Sequence, residues 1–225
     1  MSVSLLKNKV VDLSKKAKIE IDKLPLSNTS AQVVLVLDIS KSMNRLYKNG
    51  VVQNLVQRIL GLAMNLDDDG CIDVILFGTR AYNIKSATID NLDGYVDREI
   101  TSKYRIVEAT RYSEALNVIK DKYQNAKGDP VFVVFVTDGN NSDKRDTTNL
   151  ITELSHSPIF FQFVGIGQET FPYLNKLDDL PGRFIDNAGF IKVEDIDSLD
   201  DHQLYSGLLN EFPDWIKEAK RKGLI

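Results

Sequence analysis

The chain has 225 residues, 43% of them hydrophobic, with a net charge of −4, so it can bury roughly 70% of its unfolded surface as one α/β domain with some chain to spare. The acidic balance and the lack of a long basic run argue against a nucleic-acid or anionic-membrane surface. No apolar stretch approaches the roughly 18 residues of a membrane span and the start lacks a secretory core, so a reducing cytosol is expected, with the lone Cys71 a small buried residue and no disulfide partner.

Residues 1–30 read two ways. Val3 and Leu5 alternate like a strand, whereas Val10, Val11 and Leu13 with the lysines after them fit an amphipathic helix. Pro25, Ser27, Asn28 and Ser30 form a short linker, so residues 1–30 are expected to be an arm packed on the domain or on another molecule, and 31–225 the domain itself. Lys15, Lys16 and Lys18 read as a solvated face.

The run from Ala31 to Leu37 is too continuously apolar for a half-exposed strand and predicts a central parallel strand over 31–38, covered on both faces. Its carboxyl end delivers Asp38, Ser40 and Ser42 at alternate positions. Ligands gather at such strand ends in open α/β sheets, and an all-oxygen set suits a hard divalent cation. The same residues would also serve as an ordinary turn or helix cap.

A helix is expected over 50–66, then a turn at Asp67, Asp68, Asp69 and Gly70, then strands at 71–77 and near 82–88. Glu108 to Leu116 leads a loop into a helix over 111–125, with Thr110 at the junction, where its hydroxyl either caps that helix or reaches a metal. A second fully apolar strand, 131–137, stops at Asp138-Gly139, a second carboxylate at a second carboxyl end. Beyond it come a helix at 144–155, a strand at 159–165 ending in Gly165-Ile166-Gly167, a helix at 170–177, a weaker strand near 189–193 and a helix at 202–221 carrying Phe212, Trp215 and Ile216 as its packing face. The alternation predicts a doubly wound, mostly parallel sheet with helices on both faces.

Other constellations carry less. Asp138, Asn140 and Ser142 imitate a calcium loop, but Asp143 stands where glycine is needed and Asn149 where a bidentate Glu is needed. The glycines at 165 and 167 lack the third member of a dinucleotide loop and read as a strand exit. His156 and His202 have no nucleophile or ligand partner nearby in sequence and read as surface or helix-end residues.

Taken together, Asp38-Ile39-Ser40-Lys41-Ser42, the separate Thr110 with Ala115-Leu116 after it, and Thr137-Asp138-Gly139 resemble the von Willebrand factor A domain and its metal-ion-dependent adhesion site. The resemblance covers roughly residues 30–215 and continues in Phe163 to Gly167, which looks like the family's fifth core strand. The family often has two glycines before the Thr and a small polar residue after it, where this chain has Glu108, Ala109 and Arg111. The first residues, MSVSLLKNKVVDLSKKA, resemble the opening of TerD-like proteins associated with tellurium resistance and stress, a group in which von Willebrand A domains also occur.

The resemblance implies a Rossmann-like fold and a Mg²⁺ or Mn²⁺ site, ahead of Ca²⁺, formed by Asp38, Ser40, Ser42, Thr110 and Asp138. It implies a protein partner that offers an Asp or Glu to the metal, in a stress or tellurium-related assembly and without catalysis. The residue types make this reasonable: hydroxyls ligate without adding charge, so a cation with few anionic ligands stays electrophilic toward an outside carboxylate. Two other readings stand beside it. One is a Mg²⁺-dependent phosphohydrolase using Asp38 as nucleophile, although Ser40 occupies the place of the second Asp that serves such enzymes as general acid. The other is a metal-free interaction scaffold.

Overall fold

The computed structural model describes residues 3–26, 29–67 and 69–225. Within these residues six strands form one sheet in the order β3-β2-β1-β4-β5-β6: β1 (Gln32–Asp38), β2 (Cys71–Phe77), β3 (Ala81–Thr88), β4 (Val131–Thr137), β5 (Ile159–Ile166) and β6 (Ala188–Val193). All neighbours are parallel except β3, which runs antiparallel to β2. Among the described residues eight helices complete the α/β fold: α1 (Val3–Asp22), α2 (Asn44–Lys48), α3 (Val51–Leu66), α4 (Tyr112–Tyr123), α5 (Lys144–Leu154), α6 (Pro172–Asp178), α7 (Asp201–Leu208) and α8 (Phe212–Arg221), with a π-helical turn at Val96–Thr101.

The period-two geometry of a strand divides the core in two. Val33, Leu35 and Leu37 of β1 face the side covered by α1, α3, α7 and α8, while Val34 and Val36 face the side covered by α4, α5 and α6. Because the chain leaves β1 toward β2 and later returns to β4 on the opposite flank, the β1/β4 boundary is the point where strand order reverses. Crevices for ligands open there, at the carboxyl ends.

Of the two readings of the N-terminal stretch, the structure has the helix, and it packs on the domain. Leu6, Val10, Leu13, Ala17 and Ile21 recur every three or four residues and are all buried, so α1 presents one apolar stripe to the domain. It lies so close to α3 that a Cβ on Gly61 would fall 2.8 Å from the Leu13 Cβ. Asn65 donates to the Ser14 carbonyl at 2.9 Å, Lys16 pairs with Asp201 at 3.0 Å, and the His202 Nδ1 meets a Glu20 oxygen at 2.8 Å. The linker residues Ser27 and Asn28, the first two residues of the TerD-like opening and Asp68 of the acidic turn lie outside the described residues.

Several expectations change in detail. The expected helix over 202–221 is two helices, α7 and α8, broken before Pro213, with Phe212, Trp215 and Ile216 buried on α8. Cys71 does begin a strand but is only half-buried, its thiol donating to Asp69 at 3.1 Å. Asp67 does more than turn the chain, since its carboxylate accepts the Val33 N–H at 3.2 Å. His156 is exposed and stacks on Phe184. Gly165 is required by close packing, as a Cβ there would meet the Phe171 ring at 2.9 Å.

An acidic pocket lies where β6 begins. Burial, and then the charges of Asp178, Asp186 and Asp179, push the Glu211 carboxyl up to about 7, and burial lifts Asp178 to about 6. A Cβ on Gly189 would sit 3.0 Å from both Glu211 Oε1 and Gln162 Oε1, so these two oxygens face one space. Among the described residues the buried Gln162 Oε1 has no hydrogen-bond donor. No helix among the described residues is long and apolar enough to cross a membrane.

Candidate functional site

Asp38 is the last residue of β1, and Leu37 is in register with Val136, which sets Asp38 beside Thr137 at the end of β4. The Asp38 side chain is fully buried. Its Oδ1 accepts the Ser40 N–H at 2.7 Å and its Oδ2 accepts the Thr137 hydroxyl at 2.7 Å, while the Tyr47 hydroxyl donates to the Asp38 carbonyl at 3.0 Å. The chain then turns outward. The Ser40 hydroxyl lies 3.1 Å from that of Ser42, which in turn donates to Asp138 Oδ1 at 2.7 Å. Four of the five residues expected from the sequence are thus held in one polar set that runs from a buried carboxylate to the surface.

Burial pushes the Asp38 carboxyl up to about 6 against the pull of hydrogen bonds from Thr137 and Ser40, and the charge of Asp138 acts in the same upward direction. Asp138 is raised as well, chiefly by burial and further by the charge of Glu169, with the Ser42 hydroxyl pulling the other way. Two carboxylates that both resist ionisation, beside two hydroxyls, form an oxygen-rich pocket whose charge a divalent cation would relieve. The donor set fits a hard cation, with Ser42 and Asp138 nearest the surface and the buried Asp38 and Ser40 behind them. Among the described residues no group of three or more His, Cys, Asp or Glu side chains converges as a metal cage, so hydroxyls would have to supply part of any coordination shell.

The third stretch arrives as the loop before α4. Glu108 N–H donates to the Ile39 carbonyl and Lys41 N–H to the Glu108 carbonyl, both at 3.3 Å, so the loop runs parallel to the β1 exit as a single bridge between Ser40 and Glu108. The Glu108 carboxylate points away from the pocket, accepting the Thr79 N–H at 2.7 Å and the Tyr82 hydroxyl at 3.0 Å. That wedge fits because residue 78 is glycine: a Cβ there would lie 2.4 Å from the Glu108 Cβ. Arg111 is turned aside to Glu114, 3.2 Å away.

Thr110 is only partly as expected. Its carbonyl accepts the Ser142 N–H at 3.0 Å and the Ser142 hydroxyl at 3.2 Å, which ties the loop to the β4 exit. Its hydroxyl does not cap α4. The cap comes from Asp143, whose carboxylate accepts the Tyr112 N–H at 3.1 Å and the Ser113 N–H at 2.8 Å, and among the described residues the Thr110 hydroxyl makes no hydrogen bond. The backbone of Thr110 borders the pocket, but its side chain is not joined to the other four residues.

Sequence reasoning missed the roles of Thr137, Glu108 and Asp143. Thr137 was legible as a hydroxyl at a buried strand end next to Asp138; the other two act across 26 to 31 residues of chain, through contacts that no local pattern announces.

The family model described as the vWA found in the TerF C terminus matches residues 30–225. The chain belongs to the TerF-like von Willebrand A family. A relative in Bacillus subtilis (strain 168), the "Uncharacterized protein YcbR", is 45% identical to it over 221 residues, covering 96% of this chain and 90% of the relative. Among solved structures, the SpRpn10 VWA domain aligns with this von Willebrand A domain at a TM-score of 0.60 and 12% identity, over 81% of this chain and 95% of that one. Proximal thread matrix protein 1 of the mussel byssus, whose structure has a zinc-occupied MIDAS motif, aligns at 0.57 and 16% identity, over 81% and 46% of the two chains. BatB from Bacteroides thetaiotaomicron aligns at 0.52 and 17%, over 85% and 100%. At such identities the structural likeness speaks for the fold.

Proposed function

We propose that this von Willebrand A domain is a protein-binding module that holds a divalent cation at Asp38, Ser40, Ser42 and Asp138, with Thr110 as a further ligand once the cation is bound, and uses it to capture a carboxylate of a partner. The observation that carries the reading is the polar run from buried Asp38 through the hydroxyls of Ser40 and Ser42 to Asp138 at the mouth. Hydroxyl ligands leave the ion underneutralised, and an Asp or Glu from outside completes its shell. Mg²⁺ and Mn²⁺ suit this hard-oxygen set best; the zinc in the mussel protein makes Zn²⁺ a necessary comparison. The module is a binder with no reaction of its own, acting in the cytoplasm in a stress or tellurium-related assembly, a setting that rests on the TerF-like family and the TerD-like opening.

Titration calorimetry with Mg²⁺, Mn²⁺ and Zn²⁺ tests the site. Heat is expected for the native chain and its loss for Asp138→Ala; absence of heat with every ion would refute the reading. A pull-down with and without Mg²⁺ then tests recognition: the same proteins recovered on native chain and Asp38→Ala in all lanes would exclude capture through the metal. Turnover of a generic phosphomonoester, abolished by Asp38→Asn, would make the protein an enzyme instead.

A further inference from the structure

The carboxyl edge of the sheet carries a second feature beside the pocket. Between α5 and α6 runs a groove of about 480 Å³, walled by Lys144, Arg145, Thr148 and Asn149 on one side and by Tyr173 and Lys176 on the other. Its lining contains no carboxylate. Two other grooves of similar size differ in mixing both signs: one holds Asp186, Glu211, Asp214 and Glu218 with Lys217, the other Asp197, Asp200 and Asp201 with Lys9 and Arg58. Among the described residues Lys144, Arg145 and Lys176 form no ion pair, so no carboxylate of the fold neutralises the charge of the groove.

The floor of the groove is fixed in advance. The Tyr173 hydroxyl donates to the Lys144 carbonyl at 2.6 Å and shares a hydrogen bond of 2.9 Å with Thr148, and the Lys144 ammonium stands 5.6 Å above the centre of the Tyr173 ring. The groove also has a fixed place relative to the pocket. Asp138 and Lys144 are six residues apart, which limits their separation to about 20 Å, and the intervening loop is pinned by the Asp143 and Ser142 contacts to the start of α4 and to Thr110.

We infer that this groove is a second contact for the same partner and takes a run of Asp and Glu side chains adjoining the carboxylate offered to the cation. The inference rests on the proposed metal-mediated reading for the identity of the partner, and on the groove for its chemistry. An extended peptide rises about 3.3 Å per residue, so some six residues bridge pocket and groove. A polynucleotide suits the surface poorly. The one aromatic ring of the groove, Tyr173, is buried and overlain by Lys144, leaving no face on which bases stack.

The test uses the full chain and a fluorescein-labelled hexaglutamate peptide, followed by fluorescence anisotropy in Mg²⁺ at low and at raised salt. The triple variant Lys144→Gln, Arg145→Gln, Lys176→Gln alters exposed side chains, and its fold is checked by its melting curve. The expected result is about a tenfold loss of affinity in the triple variant and a salt dependence that the variant lacks. Amide resonances of 144–149 and 172–176 should shift on titration. Equal binding by native and triple-variant chains would overturn the groove, as would tighter binding of a single-stranded oligonucleotide of equal charge. Calorimetry with Mg²⁺ separates the two ideas: if the metal heat persists while hexaglutamate ignores the groove, only the present inference falls. If the metal heat is absent while the groove amides still respond, the metal-mediated reading falls, the groove stands as an acidic-peptide site, and its link to a metal-held carboxylate falls with that reading.

Discussion

Replacing Glu211 with Gln should make the protein more stable at alkaline pH and leave it unchanged in acid. Glu211 is held at about 7, from an ordinary 4.5, by burial and by the neighbouring carboxylates. A rise of that size corresponds to about 3 kcal/mol between the two protonation states. The side chain retains access to water, so roughly half survives screening, about 1.5 kcal/mol. The sign follows from proton linkage. The folded protein holds the Glu211 proton more tightly than the unfolded chain, so this group's favourable contribution is complete below about pH 4.5 and is lost as the pH rises through about 7. Glutamine carries no charge to expel, and its amide can donate to the orphaned Gln162 Oε1 across the space above Gly189. Urea unfolding at a series of pH values, with m unchanged, measures the difference between the two proteins. It should be near zero at pH 4 and reach a plateau of about 1.5 kcal/mol above pH 7.5. A difference that does not vary with pH, or a Gln variant weaker than the native chain at pH 8, would refute the account of this pocket.

Three further outcomes are expected. Thr137→Val keeps the volume of the side chain but deletes the donor at 2.7 Å from Asp38 Oδ2; loss of a hydrogen bond to a buried charged group should cost about 1.5–3 kcal/mol in urea unfolding at neutral pH, and a cost under about 0.5 would show that the bond does little. Gly78→Ala forces a methyl group to 2.4 Å from the Glu108 Cβ and should cost about 1–3 kcal/mol as overpacking, with faster amide exchange at 106–111; unchanged exchange there would disprove the wedge. Deleting residues 1–26 strips Leu6, Val10, Leu13 and Ile21 from the core, about 6–12 kcal/mol at the usual 1.5–3 per large side chain. That rivals the whole stability of a typical domain, so cooperative melting should disappear; a sharp melt at the native temperature would mean α1 is dispensable.

The sheet was legible because its central strands are written as unbroken apolar runs. Val33 to Val36 and Val131 to Val136 leave no exposed face, and the carboxylates that follow them fall at strand ends by necessity. That legibility carried Asp38, Ser40, Ser42 and Asp138 into one pocket. The rest depended on partners far away in the chain. The stripe on α1 is present in the sequence, yet choosing helix over strand requires the shallow site beside Gly61 on α3. Thr110 looked like a cap because it precedes a helix, but Asp143, supplied by the next strand's exit loop, took that task. The split between α7 and α8 was signalled by Pro213 and was overridden by the amphipathic pattern running through both segments.

Glu108 has a consequence beyond its own hydrogen bonds. Its carboxylate bolts the loop before α4 to the β2–β3 hairpin through Thr79 and Tyr82. The outermost, antiparallel edge of the sheet thereby becomes part of the frame of the pocket, so substitutions in that hairpin, remote from any ligand, should be felt at the rim where Thr110 sits.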